Sequence, residues 1–146
     1  MDINKFGSSD DIIVMMKNSC ETLHPSTRFS AGIDLPASAF AVVTFGNVTI
    51  VDTGVLVNMP GNFYAMVCSR SGLAAKHGVM VVNAPGIIDA DYKDTIKVIL
   101  TKVVDDNEPF MIAKGDRIAQ LVFAPLVNPN NGSNIERQGG LGSTGI

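Results

Sequence analysis

Phe40 to Val67 reads FAVVTFGNVTIVDTGVLVNMPGNFYAMV. Four short apolar runs, FAVVTF, NVTIVD, GVLVNM and NFYAMV, are separated by turn signals at Phe45-Gly46-Asn47, Asp52-Thr53-Gly54 and Met59-Pro60-Gly61-Asn62. Short strand-like runs punctuated at roughly ten-residue spacing predict an antiparallel sandwich or barrel and not βαβ units.

The flanks extend the pattern. Asp11 to Lys17 (DIIVMMK) reads as a first strand, apolar enough to be buried on both faces, after a loose terminus over residues 1–10. Thr95 to Val104 (TIKVILTKVV), Phe110 to Ala113 and Arg117 to Val127 (RIAQLVFAPLV) add three more. The only helical signal is a turn or two at Gly72–His77, where Leu73, Ala74 and Ala75 favour helix. In Val79 to Tyr92, VMVVNAPGIIDADY, two apolar runs flank Pro85-Gly86, which reads as a tight hairpin end with Gly86 at the positive φ of the second turn position. Asp89 then leaves the core at a strand end, with Asp91 two residues on and so on the same face. The body is expected to span residues 1–127, and the Gly-, Asn- and Ser-rich stretch 128–146 to be a flexible tail.

Composition sets bounds. At 146 residues the chain is one domain long, with 46% hydrophobic residues, 17% charged and no tryptophan. That aliphatic surplus suits a β protein with surface buried between subunits. A net charge of −3 and scattered Lys and Arg argue against nucleic acid as main partner. The polar, acidic start is no signal peptide and no run is long enough to span a bilayer, so an intracellular protein, cytoplasmic or nuclear and not secreted, is expected. Cys20 and Cys68 read as reduced thiols, and His24 and His77 as solvated loop residues without a ligand set.

Several residues carry possible chemistry. Asp89 is either a general base at the mouth of a turn or an ordinary strand end. Ala31-Gly32 allows close backbone approach, and Asp34 alternates with apolar neighbours as a lone cleft-facing carboxylate or a turn-bonding one. Arg70, Ser71 and Gly72 open the short helix, where amides, a guanidinium and a hydroxyl suit phosphate; Ser71 equally suits an N-cap. Gln120 is the lone polar residue of an apolar run and either pins backbone or reads a ligand. In Gly139-Gly140-Leu141-Gly142-Ser143-Thr144-Gly145, glycine amides and two hydroxyls could cradle phosphate, with Arg137 upstream.

The five pieces AGIDL, SRSGLA, GIIDADY, GDRIAQL and GGLGSTG, in this order across Ala31 to Gly145, resemble the five motifs of the trimeric deoxyuridine triphosphate nucleotidohydrolases, the dUTPases. The resemblance implies an all-β, distorted jelly-roll-like barrel or sandwich, a homotrimer with the C-terminal arm exchanged between subunits, and an active site built from all three. It implies hydrolysis of dUTP to dUMP and pyrophosphate with Mg2+, keeping uracil out of DNA and supplying dUMP for thymidylate synthesis. Asp89 matches the general base. Tyr92 matches the residue whose ring packs under the deoxyribose. Asn83 and backbone groups around Gly86, Ile87 and Ile88 match the uracil-reading turn. Arg70, Ser71, Gly72 and Gln120 match phosphate donors, and Asp34 the acid that acts on magnesium through water. The arm would close over the nucleotide with Arg137, Leu141, Gly142, Ser143, Thr144 and Gly145.

Four departures stand out. Leu141 replaces a phenylalanine that stacks on uracil. Arg137 comes one step late, with Glu136 in the usual arginine place. Asp94 replaces a glycine, and Ser69 a proline. Together they imply weaker closure and a raised KM. The related dCTP deaminases need a glutamate at about Ile99, and no acid lies between Thr95 and Val104. A non-catalytic nucleotide-binding trimer or a coat-type jelly roll is disfavoured by the intact Asp89, Asp34, Arg70, Ser71 and Gln120.

Overall fold

The computed structural model describes residues 11–127, 137–142 and 145. The expected loose terminus, Glu136, Ser143 and Thr144 lie outside the described residues. Those described form β1 (Ile13–Met16), β2 (Gly32–Pro36), β3 (Ala41–Val43), β4 (Val48–Asp52), β5 (Val55–Asn58), β6 (Phe63–Cys68), α1 (Ser71–His77), β7 (Val79–Val81), β8 (Gly86–Ile88), β9 (Lys97–Lys102), β10 (Phe110–Ile112) and β11 (Arg117–Pro125). Each predicted run contains one strand, trimmed where its ends turn. The fold is all-β and jelly-roll-like.

The strands build a four-stranded sheet, β2-β11-β6-β8, a three-stranded sheet, β4-β9-β7, and two pairs, β1-β5 and β3-β10. Among the described residues every pairing of these strands is antiparallel. Alternation drives the layering, since successive side chains on a strand face opposite ways. Ile33 and Leu35 of β2, Ala65 and Val67 of β6, and Val98 and Leu100 of β9 point into one core, while Asp34, Met66 and Ile99 point out of it. β1 buries two successive residues, Val14 and Met15, as its continuous apolar run predicted.

Among the described residues, no two consecutive strands pair with each other. The turn signals mark where the chain bends, but each bend hands it to a different sheet. This corrects the expected hairpin at Val79–Tyr92. β7 pairs with β9 and β8 with β6, so the two runs around Pro85 lie in different sheets. The edge of β7 is already occupied, with the Val82 N–H donating to the Ile99 carbonyl at 2.8 Å. Gly86 is also not among the glycines with positive φ. Its lack of a side chain gives room instead: a Cβ there would lie 3.0 Å from Asn83 Nδ2, which would have to shift, and 3.4 Å from Val67 Cβ.

A buried hydroxyl ties three of these pieces together. Thr53, fully buried between β4 and β5, donates through Oγ1 to the Ile96 carbonyl at 2.7 Å and accepts the Val55 N–H at 3.1 Å. Thr53→Val keeps the shape but leaves buried polar groups without this partner, which costs about 1–3 kcal/mol. Denaturant unfolding should show a lower midpoint with an unchanged slope.

Candidate active site

Register in the four-stranded sheet aligns the first group of side chains. Gln120 lies opposite Asp34 on one side and Cys68 on the other. Its side chain folds over Gly32, where a Cβ would stand 2.5 Å from Gln120 Oε1, so the close approach expected of Gly32 is made to this amide. Gln120 Nε2 donates to the Ser69 carbonyl at 3.0 Å, which is the backbone-pinning reading of the lone amide. The Ser69 hydroxyl in turn accepts the Val81 N–H at 2.9 Å, so the serine in a usual proline place ties this loop to β7.

Arg70 is the N-cap of α1 and makes no side-chain cap bond. Its Nε donates to Asp34 Oδ1 at 3.0 Å and its Nη1 to the Arg117 carbonyl at 3.1 Å. Arg117 Nη1 lies 3.6 Å from the other Asp34 oxygen. Asp34 is therefore a carboxylate between two guanidinium groups. Ser71 is the first helical residue and not the cap; with Gly72 it is exposed beside the braced arginine. Arg117 had no role in the sequence reading. Three residues before Gln120, strict alternation puts it on the opposite face, and the register shift between Arg117 and Ala119 suspends that alternation, so no signal in the sequence marks it.

The second group sits at the end of β8. Ile88 is buried and Ile87 is 56% exposed, as alternation requires. The chain then turns, closed by the Tyr92 N–H donating to the Asp89 carbonyl at 3.1 Å. Strand alternation therefore does not apply to Asp91, yet the turn presents both carboxylates to one arginine. Arg137 Nη1 lies 2.8 Å from Asp89 Oδ2 and 3.8 Å from Asp91 Oδ1, and its guanidinium stands 5.1 Å above the Tyr92 ring. Tyr92 is 6% exposed and donates its hydroxyl to the Thr95 carbonyl at 2.9 Å. Burial raises its pKa, which keeps the phenol a donor. Asn83 is exposed and folds its amide across Gly86; Leu141 and Gly142 are exposed in a turn.

One sheet holds both groups, at opposite ends. Ala65 pairs with Ile88, so Asp89 falls alongside Tyr64, and the two line one cleft of about 260 Å³. Arg70 lies six residues further along from Tyr64, a separation of about 20 Å at strand rise. Among the described residues, no hydrogen bond or ion pair joins the two groups. The chain carries two separate groups of polar side chains.

The fold defines the class first: an all-β, jelly-roll-like domain with a carboxylate turn at one sheet end and a braced arginine loop at the other. Residues 18–145 match the dUTPase family model, and the chain belongs to the dUTPase family. It is similar to the deoxyuridine 5'-triphosphate nucleotidohydrolase of Rickettsia massiliae (strain Mtu5), with 42% identity over 129 residues, 83% of this chain and 86% of the relative. That of Corynebacterium glutamicum is 50% identical over 96 residues, 66% of this chain and 64% of the relative. The fold is shared with the dUTPase of phage phi11 of S. aureus, at a TM-score of 0.73 and 20% identity over 88% of this chain and 98% of that one. The Streptococcus mutans dUTPase gives 0.68 and 24% over 75% and 88%.

Asp94 and Lys97 flank the second group and form an ion pair of 3.0 Å. The hydrogen bond from Lys97, then that from the Thr95 N–H, holds the Asp94 carboxyl below its ordinary 3.8. A depressed folded pKa gives stability that is complete above the ordinary value and lost as pH falls through the folded one. As pH falls through the ordinary carboxylate range and below it, the unfolding midpoint of the native chain should thus drop more steeply than that of Asp94→Asn.

Proposed function

We propose that the chain hydrolyses dUTP to dUMP and pyrophosphate at a site completed by other copies of itself, a homotrimer. The supporting observation is the separation of the two groups. A water held by Asp89 attacks a phosphorus whose charge must be met by Arg70, Ser71 and Gly72, and about 20 Å of strand keeps those apart within one copy. A second copy that lays its Arg70 loop against the Asp89 turn closes the gap. Exposed apolar side chains support association: Val48 and Ile50 on β4, with Val82, Val103 and Met111, are all more than 40% exposed.

In this reading each residue acts by its own chemistry. Asp89 accepts the proton of the attacking water. Asn83 and the backbone of Gly86 to Ile88 read the uracil edge, and fixed donors and acceptors there discriminate against cytosine more strongly than apolar fit could. The Tyr92 ring leaves no room for a 2′-hydroxyl. Gln120 acts on the phosphates through the loop it pins. Residues 128–146 form the arm, separate from the body of 1–127, and Arg137, Leu141, Gly142, Ser143 and Thr144 close over the nucleotide. Leu141 covers uracil without aromatic stacking, a loss of about 1 kcal/mol that raises KM.

The donor set bears on magnesium. Both Asp34 oxygens face arginines, and no three His, Cys, Asp or Glu side chains converge among the described residues. That set fits an ion carried in on the triphosphate and keeping its waters, which Asp34 meets through water. Such an ion would neutralise charge on the phosphates. A dUTPase from phage phi11 of S. aureus coordinates a structural Mg(II) ion. We place the enzyme inside the cell, with no nucleic acid or membrane as partner.

Pyrophosphate release from dUTP with magnesium tests the reading, and no release overturns it. Asp89→Asn should cut turnover by about 10²–10⁴-fold while Kd for a non-hydrolysable dUTP analogue changes by less than about threefold. Subunit mixing tests the shared site. Asp89→Asn and Arg70→Ala chains, each inactive alone, should regain about a quarter of native activity when refolded together in equal amounts. A site contained in one copy would regain none.

A further inference from the structure

We propose that Asp94 is a positioning residue: its carboxylate is the seat on which the glycine pair of the C-terminal arm lies, and through that pair it sets Arg137 on Asp89. The proposal rests on the reading of residues 128–146 as a closing arm, and it reverses the expectation that Asp94 in a glycine place weakens closure.

The geometry runs as a chain of contacts. Asp94 is fixed from below, accepting the Thr95 N–H through Oδ1 at 2.7 Å and Lys97 Nζ through Oδ2 at 3.0 Å. Gly140 lies directly on this carboxylate. A Cβ added to it would stand 3.0 Å from Asp94 Oδ2 and 3.4 Å from Asp94 Cβ. The two glycines therefore differ in what they supply. Gly139 has φ of +95°, a conformation that L side chains rarely adopt, whereas a side chain at Gly140 would press on the Asp94 carboxylate, which would have to give by a few tenths of an ångström.

The carbonyls of this pair face the other way and hold the arginine. Arg137 Nε donates to the Gly139 carbonyl and Nη2 to the Gly140 carbonyl, both at 3.3 Å. That leaves Nη1 for Asp89 at 2.8 Å, with the guanidinium against the Tyr92 ring. The Tyr92 hydroxyl donates to Thr95, the residue whose amide fixes Asp94. Seat and base are two ends of one small bonded unit, so a shift at Asp94 is carried to the arginine that faces the base. A glycine at position 94 would offer the arm no such surface.

The test is a double-mutant cycle with two readouts. Gly140→Ala puts a methyl against the Asp94 carboxylate and should lower kcat/KM for dUTP by about tenfold, mostly through KM. In an Asp94→Ala background the same substitution should cost less than about twofold. Asp94→Ala alone should raise KM, and Asp94→Asn, which keeps the shape, should restore it. The second readout needs no turnover: trypsin cleavage after Arg137 on the nucleotide-free chain, timed by mass. Cleavage should be faster in Gly140→Ala than in the native chain, and Gly140→Ala should add nothing once Asp94 is alanine. Equal effects of Gly140→Ala in both backgrounds, in either readout, would overturn the seat. So would an Asp94→Ala chain cleaved as slowly as the native one. If dUTP is not hydrolysed at all, the hydrolase reading fails, while the protease cycle still decides on the seat.

Discussion

Strand β6 lies between β11 and β8, and this placement decides what one copy of the chain can and cannot do. On one side Cys68 meets Gln120, which brings the amide to the Ser69 carbonyl and fixes the Arg70 loop. On the other side Ala65 meets Ile88, which sends Asp89 out at the far end. Most of β6 and the two residues after it then stand between the Asp89 turn and Arg70. From Ala65 to Val67 the strand is paired on both edges, which holds that distance. The register that stabilises the core also keeps the two groups of side chains at opposite ends of one sheet.

Electrostatics within each half follow from this. Asp34 takes two guanidinium groups, and Asp89 and Asp91 share one from the arm. In both groups the carboxylates have guanidinium partners within the chain. Such contacts are charge-assisted and geometrically demanding, so each side chain is oriented before the nucleotide arrives. Arg137 has further to travel in role: the residue that holds the base in the free chain is the one expected on phosphate when the arm closes.

Much of the fold was legible because it is carried by local alternation. The runs of Ile33-Asp34-Leu35 and Val98-Ile99-Leu100 declare their inward residues, and the helix at Ser71–His77 declares itself by composition. Partner choice was not legible. Pro85-Gly86 looks like a hairpin because turn chemistry reports bending and carries no information on which edge is free. The motif residues were legible by resemblance, but their internal bonds were not. Gln120 and Ser69 meet through register alone, and Asp94 meets Gly140 across 46 positions of sequence. Contacts of that kind depend on the tertiary fold and leave no periodic trace.

The absence of any pairing between consecutive strands among the described residues has a consequence for how the chain must come into being. β2 has its sheet partner in β11, β3 in β10 and β4 in β9. As the chain is synthesised from its N-terminus, those early strands emerge long before anything they can bond. Until Arg117 to Pro125 leaves the ribosome, β2 and β6 offer open edges to other chains, and loop closure has to precede every gain from pairing. Completion of the four-stranded sheet therefore waits for β11, and a chain cut short before it would leave β2 without its partner and one edge of β6 open.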